Sequence, residues 1–359
     1  MKKELEDLIL EDNNIKVISI DIYDTLIFRM VRKPYRIFDK MFEMEKGLFP
    51  DYMDGEDWRE LRVRTEIVAK ENKFSVSGAY EANLDEIYNE MPAIIKNKKE
   101  IMALEIACET KYSYINEEIA DAIKEVRKSK DTKVILTSDM YLTEAQLRHI
   151  LASNGFDLSL VDKIYVSSEQ GVSKKQGKLF EKILKDYAVQ ANEVLHMGDN
   201  RISDFISPMK LGMKAYQYTP IYNENFYPYL DMEEEAYGFI CDEIHALRLY
   251  TAYKFKGDEK KKFWYDLGAM IIAPVLVYAT EWVLDVAEQN DIKQIFPMMR
   301  EGKFLTELLK TAQEAREWKG KINPIYISRK ALYPALLSAI KQKDVEYMLT
   351  THGIRVGDL

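Results

Sequence analysis

Residues 15–22 (IKVISIDI) form a short β-branched apolar run that ends on an acid. A run apolar at consecutive positions predicts a strand buried on both faces. From about 33 to 130 the pattern changes to long charged segments with helical period, at 35–46, 57–71, 83–91, 98–114 and 116–128. Asn116, with Glu118 close behind, marks a helix start. Strand and helix then alternate. Strands are predicted at 133–136, 163–166, 194–197 and 215–218, and helices at 143–153, 177–187 and 203–211. Thr143 is a candidate N-cap, Asn154-Gly155 a left-handed stop, and Gly212 another stop.

This alternation predicts an α/β fold: a doubly wound parallel sheet with a helical cap inserted after its first strand. Residues 1–32 and 131–220 form the core and 33–130 the cap. A linker at 221–238, rich in Pro, Asn, Tyr and acids, leads to a second α/β or mostly helical region over 239–359. That region reads as helices at 239–256 and 263–288, a strand at 292–297, a helix at 303–317, a strand at 324–327 and a helix at 330–340. Two strands make a poor closed sheet, so either the natural chain continues beyond this region or this half completes itself by packing on the first.

Composition narrows the class. The 359 residues carry 51 Lys and Arg against 60 Asp and Glu, a net charge of −9. That balance argues against nucleic acid as a main partner. Cys108 and Cys241 have neither disulfide nor metal-ligand spacing; they read as small buried hydrophobes in a reducing cytoplasm. The first 14 residues lack a basic stretch followed by an apolar core, so no signal peptide is expected. The longest uncharged run, 267–280, falls short of the roughly 20 residues a bilayer requires and contains Pro274. It reads as a buried helix rather than a span. No GxxxxGK[ST], GxGxxG, GxSxG or HExxH pattern is present. Phosphate-loop kinases, simple Rossmann dehydrogenases, serine hydrolases and zincins therefore lack support.

Ligands of such a sheet bind beyond the carboxyl ends of its strands. Those ends carry Asp21, Tyr23, Asp24 and Thr25; Thr137, Ser138 and Asp139; Ser167, Ser168 and Lys174; and Gly198, Asp199, Asn200 and Asp204. Grouped carboxylates repel one another unless a cation or a reaction uses them. The segments DIYDTL (21–26), TSD (137–139), SEQGVSK (168–174) and HMGDNRISD (196–204) together resemble the four motifs of the haloacid-dehalogenase-like hydrolase superfamily. The order, spacing and strand-end placement all fit over roughly residues 10–220. IDIYDTL, SDMYL, SSEQGVSKKQGKLF and HMGDNRISD are closer still to a subgroup of predicted hydrolases found with bacterial surface-polysaccharide genes. MREGKFLTELL (299–309) and YISRKAL (326–332) are similar to segments that follow in that subgroup.

The residues have a physical reading beside the resemblance. A carboxylate at Asp21 can attack phosphorus and form an acyl-phosphate. Mg²⁺ takes one or two carboxylates, water and substrate phosphate. Asp21, Asp199, Asp204 and the Tyr23 carbonyl would hold it. Ser138 would donate to a phosphoryl oxygen, Lys174 would balance charge as a point cation, and Thr25 would steady the loop. Asp24 and Asp139 are candidate substrate contacts, with Arg62 and Arg64 reaching down from the cap helix 57–71. Beside Glu60 and Glu66, those arginines read more readily as a solvated helix face than as substrate contacts. His196 reads as a satisfied core histidine rather than a catalytic base. Arg300 and Arg329 follow the strands at 292–297 and 324–327. They outline a second anion site, unless Glu301 or another acid pairs them.

One position departs from the family. Most phosphatases of the superfamily carry a second Asp two residues after the nucleophile, as general acid; here Tyr23 stands there. In a strand Asp24 would point to the opposite face. General acid help is worth roughly 10²–10⁴ in rate, so slow turnover of poor leaving groups is expected. Tyr also occurs at this place in the dehalogenase branch, which works without Mg²⁺ and lacks the GDN..SD pattern. Asp199 and Asp204 therefore favour phosphoryl chemistry.

The expected function is a Mg²⁺-dependent hydrolase of a small phosphorylated metabolite, a sugar phosphate or nucleotide-linked precursor. A second reading is a catalytically weak ligand-sensing or docking module in surface-glycan assembly. A haloacid dehalogenase is a third. Expected partners are the phosphorylated substrate and glycan-biosynthesis proteins, with no nucleic acid and no membrane span.

Overall fold

The computed structural model describes residues 12–79, 81–129, 131–220, 242–255, 258–299, 302–327, 341–343 and 346. The chain divides into two units, one ending at Ala269 and the other beginning at Met270. The linker at 221–238, Cys241, Arg300, Glu301, Arg329 and the expected helix at 330–340 lie outside the described residues.

β1 (Val17–Asp21) is buried at every position, as its unbroken apolar run requires. A tight loop leads to β2 (Ile27–Arg29), and then to helices α1 (Ile37–Met44), α2 (Gly55–Ser77), α3 (Leu84–Asn89) and α4 (Lys98–Lys111). β3 (Ser113–Ile115) returns antiparallel to β2, with Ile27 opposite Ile115. Both passages between sheet and helical insertion thus run through one two-stranded ribbon. α5 (Glu117–Ser129) starts where the Asn116 side chain accepts from the Glu118 amide at 3.2 Å. Its apolar face, Ile119, Ile123 and Val126, lies over Ile18, Ile20, Val134 and Met197 of the sheet. The cap therefore ends at β3 rather than at residue 130. α5 is the crossover helix that a parallel connection needs.

β4 (Lys133–Ser138), α6 (Glu144–Ser153), β5 (Lys163–Val166), α7 (Lys178–Tyr187), β6 (Val194–Gly198) and β7 (Lys214–Gln217) complete the alternation. The strands pair in parallel in the order β5-β4-β1-β6-β7. Thr143 and Gln146 close a reciprocal cap on α6, and Gly155 ends it at φ 85°. The chain builds outward from β1 in one direction and then in the other, so the ends of β1 and β6 border the switch point.

Side-chain alternation sorts the two faces. Ile18 and Ile20 join one large apolar cluster that includes Phe38, Trp58, Leu84 and Ile101 of the cap. Val17, Ile135, Tyr165 and Val194 face the other way, against Leu179, Phe180 and Ile183 of α7. The expected helix at 203–211 begins as a π-helical turn, Arg201–Ile206, before Ser207–Lys210.

Beyond the sheet, α8 (Asp242–Lys254) presents Asp242 to the Arg32 amide at 3.0 Å and to Arg36 Nε at 2.9 Å. α9 (Lys260–Gln289) is one 30-residue helix with a π-helical turn, Leu267–Ile272, beside Pro274. Among the described residues it is long and apolar enough to cross a membrane. The expectation of a buried helix does not hold. Only 22% of its most apolar stretch is buried, and Ile272, Val275, Tyr278 and Trp282 are exposed. Counting only the uncharged residues also understated its length, because the helix runs on through charged ends.

The second unit holds the parallel pair β8 (Gln294–Ile295) and β9 (Lys321–Ile322), with α10 (Gly302–Arg316) between them in sequence. Leu284, Leu309, Ala312 and Ile322 form its small core. The strand expected at 324–327 lies earlier. Pro324 has no amide for the ladder, so regular pairing stops at Ile322 and resumes as a single bridge between Met298 and Ile325.

Candidate active site

Asp21 closes β1 and is 6% exposed. Lys174 reaches it from the loop after β5. Its ammonium donates to Asp21 Oδ1, to Asp204 Oδ1 at 2.6 Å and to the Thr137 carbonyl at 3.4 Å. Asp139 holds that loop, accepting from the Lys174 amide at 2.8 Å and the Lys175 amide at 3.2 Å. Each of its oxygens takes one of these amides, so Asp139 fixes the start of the segment that carries Lys174. Thr25 Oγ1 donates to Asp21 Oδ2 at 3.5 Å. Ser138 closes β4 and is 3% exposed, and its hydroxyl has no side-chain partner among the described residues. It is free to donate to a bound oxygen.

The π-helical turn after β6 bends Asp204 back over the sheet. Asn200 caps the turn by accepting from the Ile202 and Ser203 amides, while its own amide donates to Asp204 Oδ2 at 3.0 Å. Gly198 makes room for this. A Cβ there would lie 2.5 Å from Asp204 Cγ. Asp204 Oδ1 also faces His196 Nε2 at 3.1 Å.

Asp21, Asp199 and Asp204 each offer an oxygen within 4.8 Å of the others. Their electrostatics differ. Burial pushes Asp21 well up, with Asp204 and Asp199 adding to it against Lys174. Burial, then Asp24 and Asp204, push Asp199 up to about 7. Burial would raise Asp204 too, but Lys174 and then His196 outweigh it and hold the carboxyl below its ordinary range. Burial would likewise depress Lys174, but Asp204, Asp21 and Asp139 keep it charged. Two acids held up by burial and by neighbouring carboxylates are what a divalent cation would relieve. The donor set fits a hard cation such as Mg²⁺. Asp21 and Asp199 are its natural carboxylates. Asp204 has three donors on its two oxygens and one lone pair to spare, so it serves chiefly to anchor Lys174.

Other expected residues fall elsewhere. The Tyr23 hydroxyl donates to Glu109 Oε2 at 3.2 Å, and the guanidinium of Arg29 lies 3.8 Å over its ring. Arg29 in turn grips Glu109 at 2.9 Å through both Nε and Nη2. Burial, then Glu109, push Tyr23 well above the ordinary phenol range. Its side chain is therefore withheld from catalysis, and only its carbonyl remains for a metal. Asp24 is not in a strand. It sits at φ 61°, with its amide donating to the Ile27 carbonyl at 2.8 Å, and its charge acts on Asp199. The expectation of a strand position, opposite in face to Tyr23, is thus replaced by a left-handed turn residue.

Arg62 is fully buried in the cap. It donates to Glu105 at 2.7 and 2.9 Å and to Glu66 at 3.1 Å, with Phe38, Tyr88 and Tyr141 around its guanidinium. It is neither a substrate contact nor a solvated face. Arg64 is exposed on the same helix. Arg29 and Glu109 were missed. Glu105 and Glu109 stand one turn apart among Ile101, Leu104 and Cys108, so acids on the apolar stripe of α4 were the available signal.

A family model described as haloacid dehalogenase-like hydrolase matches residues 15–205. No curated protein matches the chain. Among solved structures, a HAD family enzyme from Bacteroides thetaiotaomicron is 16% identical with a TM-score of 0.42, over 60% of this chain and 98% of its own. That enzyme has also been solved with magnesium and inorganic phosphate. A 2-haloacid dehalogenase from Pseudomonas syringae pv. tomato is 16% identical with a TM-score of 0.41, over 57% of this chain and 87% of its own. The L-2-haloacid dehalogenase of Xanthobacter autotrophicus, with chloropropionic acid covalently bound, is 13% identical with a TM-score of 0.43, over 63% and 84%. The matched segment opens just before β1 and closes one residue past Asp204, taking in the whole acid and lysine group; the chain belongs to the haloacid dehalogenase-like hydrolases.

Proposed function

We propose that the chain is a magnesium-dependent phosphatase acting on a small phosphorylated metabolite through an aspartyl-phosphate at Asp21. The observation that carries this is the close group of Asp21, Asp199 and Asp204, with Lys174 bonded to the first and last. Asp21 Oδ2, the oxygen that Lys174 leaves open, attacks phosphorus as the bond to the leaving oxygen breaks. Lys174 offsets charge on the nucleophile and the phosphoryl group, Ser138 donates to a phosphoryl oxygen, and Thr25 steadies Asp21. Mg²⁺ held by Asp21, Asp199 and the Tyr23 carbonyl would neutralise charge on the transferring group. Water then cleaves the acyl-phosphate, releasing phosphate and restoring Asp21. With Tyr23 committed to Glu109, no side chain at that place protonates the leaving group, which costs roughly 10²–10⁴ in rate for poor leaving groups.

The motif likeness to hydrolases found with surface-polysaccharide genes points to a sugar phosphate or nucleotide-linked precursor, met in the cytoplasm alongside glycan-biosynthesis proteins. The test is phosphate release from a panel of phosphorylated substrates with Mg²⁺. Wild type is expected to release phosphate and Asp21→Asn to stay at background. Background release in both would favour a ligand-sensing or docking module, which the engaged Tyr23 also suits. Halide release from a 2-haloacid without metal would bring a dehalogenase forward.

A further inference from the structure

A polar row crosses the otherwise apolar face of the sheet that packs on α7. Ser19 stands opposite His196 in the pairing of β1 with β6, and both are fully buried. Ser19 Oγ lies 3.0 Å from Thr137 Oγ1 and 2.8 Å from His196 Nδ1. His196 Nε2 lies 3.1 Å from Asp204 Oδ1, the same oxygen that Lys174 holds at 2.6 Å before reaching Asp21. Phe180 of α7 meets the imidazole edge-on, with ring centroids 4.8 Å apart. An unbroken chain therefore links Thr137, Ser19, His196, Asp204, Lys174 and Asp21.

Hydrogen-bond chemistry orients the chain. The Asp204 carboxylate only accepts, so His196 must donate through Nε2–H. Burial favours the neutral ring, whose Nδ1 is then an acceptor for the Ser19 hydroxyl. Ser19 Oγ in turn accepts from Thr137. Every group is satisfied by one imidazole tautomer, which fixes the ring. Three hydroxyl and imidazole groups in an apolar layer are costly unless all are paired, and a row of apolar residues would pack there as well.

Taking Asp21 as the nucleophile of the hydrolase proposed above, we infer that His196, locked by Ser19, is a positioning residue. It holds Asp204 in place, and through Asp204 it sets the Lys174 ammonium on Asp21. It touches neither substrate nor metal. Lys174 is bound between two carboxylates. Loosening Asp204 changes how the ammonium is shared and where it stands relative to the nucleophile. Partners one step removed from a reacting group typically cost about 10–100-fold when removed.

The test compares His196→Phe, which keeps the ring against Phe180, with His196→Gln, whose amide nitrogen can replace Nε2–H. Steady-state rates with p-nitrophenyl phosphate and Mg²⁺ are normalised to folded protein, and the Lys174 ammonium resonance is followed by NMR. In His196→Phe we expect kcat to fall about 10–100-fold with KM held, and the Lys174 resonance to move. His196→Gln should restore most of both, and Ser19→Ala should give a smaller change in the same direction. A folded His196→Phe with wild-type kcat and an unmoved Lys174 resonance would overturn the inference. If wild type releases no more phosphate than Asp21→Asn, the phosphatase proposal falls. The Lys174 resonance then decides the positioning role by itself, since it needs no turnover.

Discussion

Lys174 serves two carboxylates at once, and the space for this comes from a residue with no side chain. Gly198 lies against Asp204 so closely that any Cβ would overlap its carboxyl carbon. Gly198→Ala should therefore push Asp204 away, at roughly 1–3 kcal/mol of overpacking, and release Lys174 from its second anchor. Lower melting temperature together with lost phosphate release is the expected pair of results. Loss of stability alone, with activity kept, would show that Asp204 need not stand where it does. At this scale much was legible. Asp21, Ser138, Lys174 and Asp199 could be placed from strand ends and spacing, because a carboxylate or hydroxyl beyond a buried strand has few other uses. The partners of Tyr23 and Asp139 were not. Glu109 is 86 positions from Tyr23 and Lys174 is 35 from Asp139, and such contacts depend on how helices and loops are brought together in space.

Among the elements, the cap helices gave the least reliable reading. Charged positions on α2 and α4 look solvated in sequence, but Arg62 and Glu105 meet in the interior with no exposure at either side chain. A buried pair broken on one side leaves the other charge stranded. Arg62→Ala should cost roughly 3–5 kcal/mol in chemical denaturation, while the folded fraction keeps the wild-type KM for its substrate. A raised KM with unchanged stability would return Arg62 to the substrate site. The core helices were easier. α6 carries its cap and its stop in the sequence, and α5 shows its apolar stripe. What the pattern hid was the layer α5 joins, since an amphipathic helix packs equally well on a cap or on a sheet. The π-helical turn at Arg201–Ile206 was also hidden. Such turns occur frequently at functional sites, and here the turn aims Asp204.

For the molecule as a whole, with a net charge of −9, the site gathers three of the chain's 60 acids about one lysine. Asp199, held at about 7 against an ordinary 3.8, opposes folding in its ionised form. Its penalty is absent below pH 3.8, grows as pH rises, and is complete above about 7. Mg²⁺ requires the ionised form, so binding must release the Asp199 proton below about pH 7. The rise in melting temperature on adding Mg²⁺ should therefore be larger at pH 8 than at pH 6. Equal rises at both would remove Asp199 from the metal site. The charge balance argues against nucleic acid as a main partner, but composition could not foretell that α9 exposes its apolar side chains, because burial is a property of neighbours.

The ribbon of β2 and β3 brings residues 29 and 113 side by side. The two ends of the inserted helices are thus already joined, and the sheet needs no rethreading if that insertion is exchanged for another. The inserted helices can be exchanged while the acids at the strand ends stay where they are. One contact restricts that freedom. Tyr23 and Arg29 belong to the sheet's side of the ribbon and Glu109 to the insertion, yet the three are bonded as one. A transplanted cap that lacks the acid would leave a buried arginine uncompensated, so these three residues would have to be inherited together.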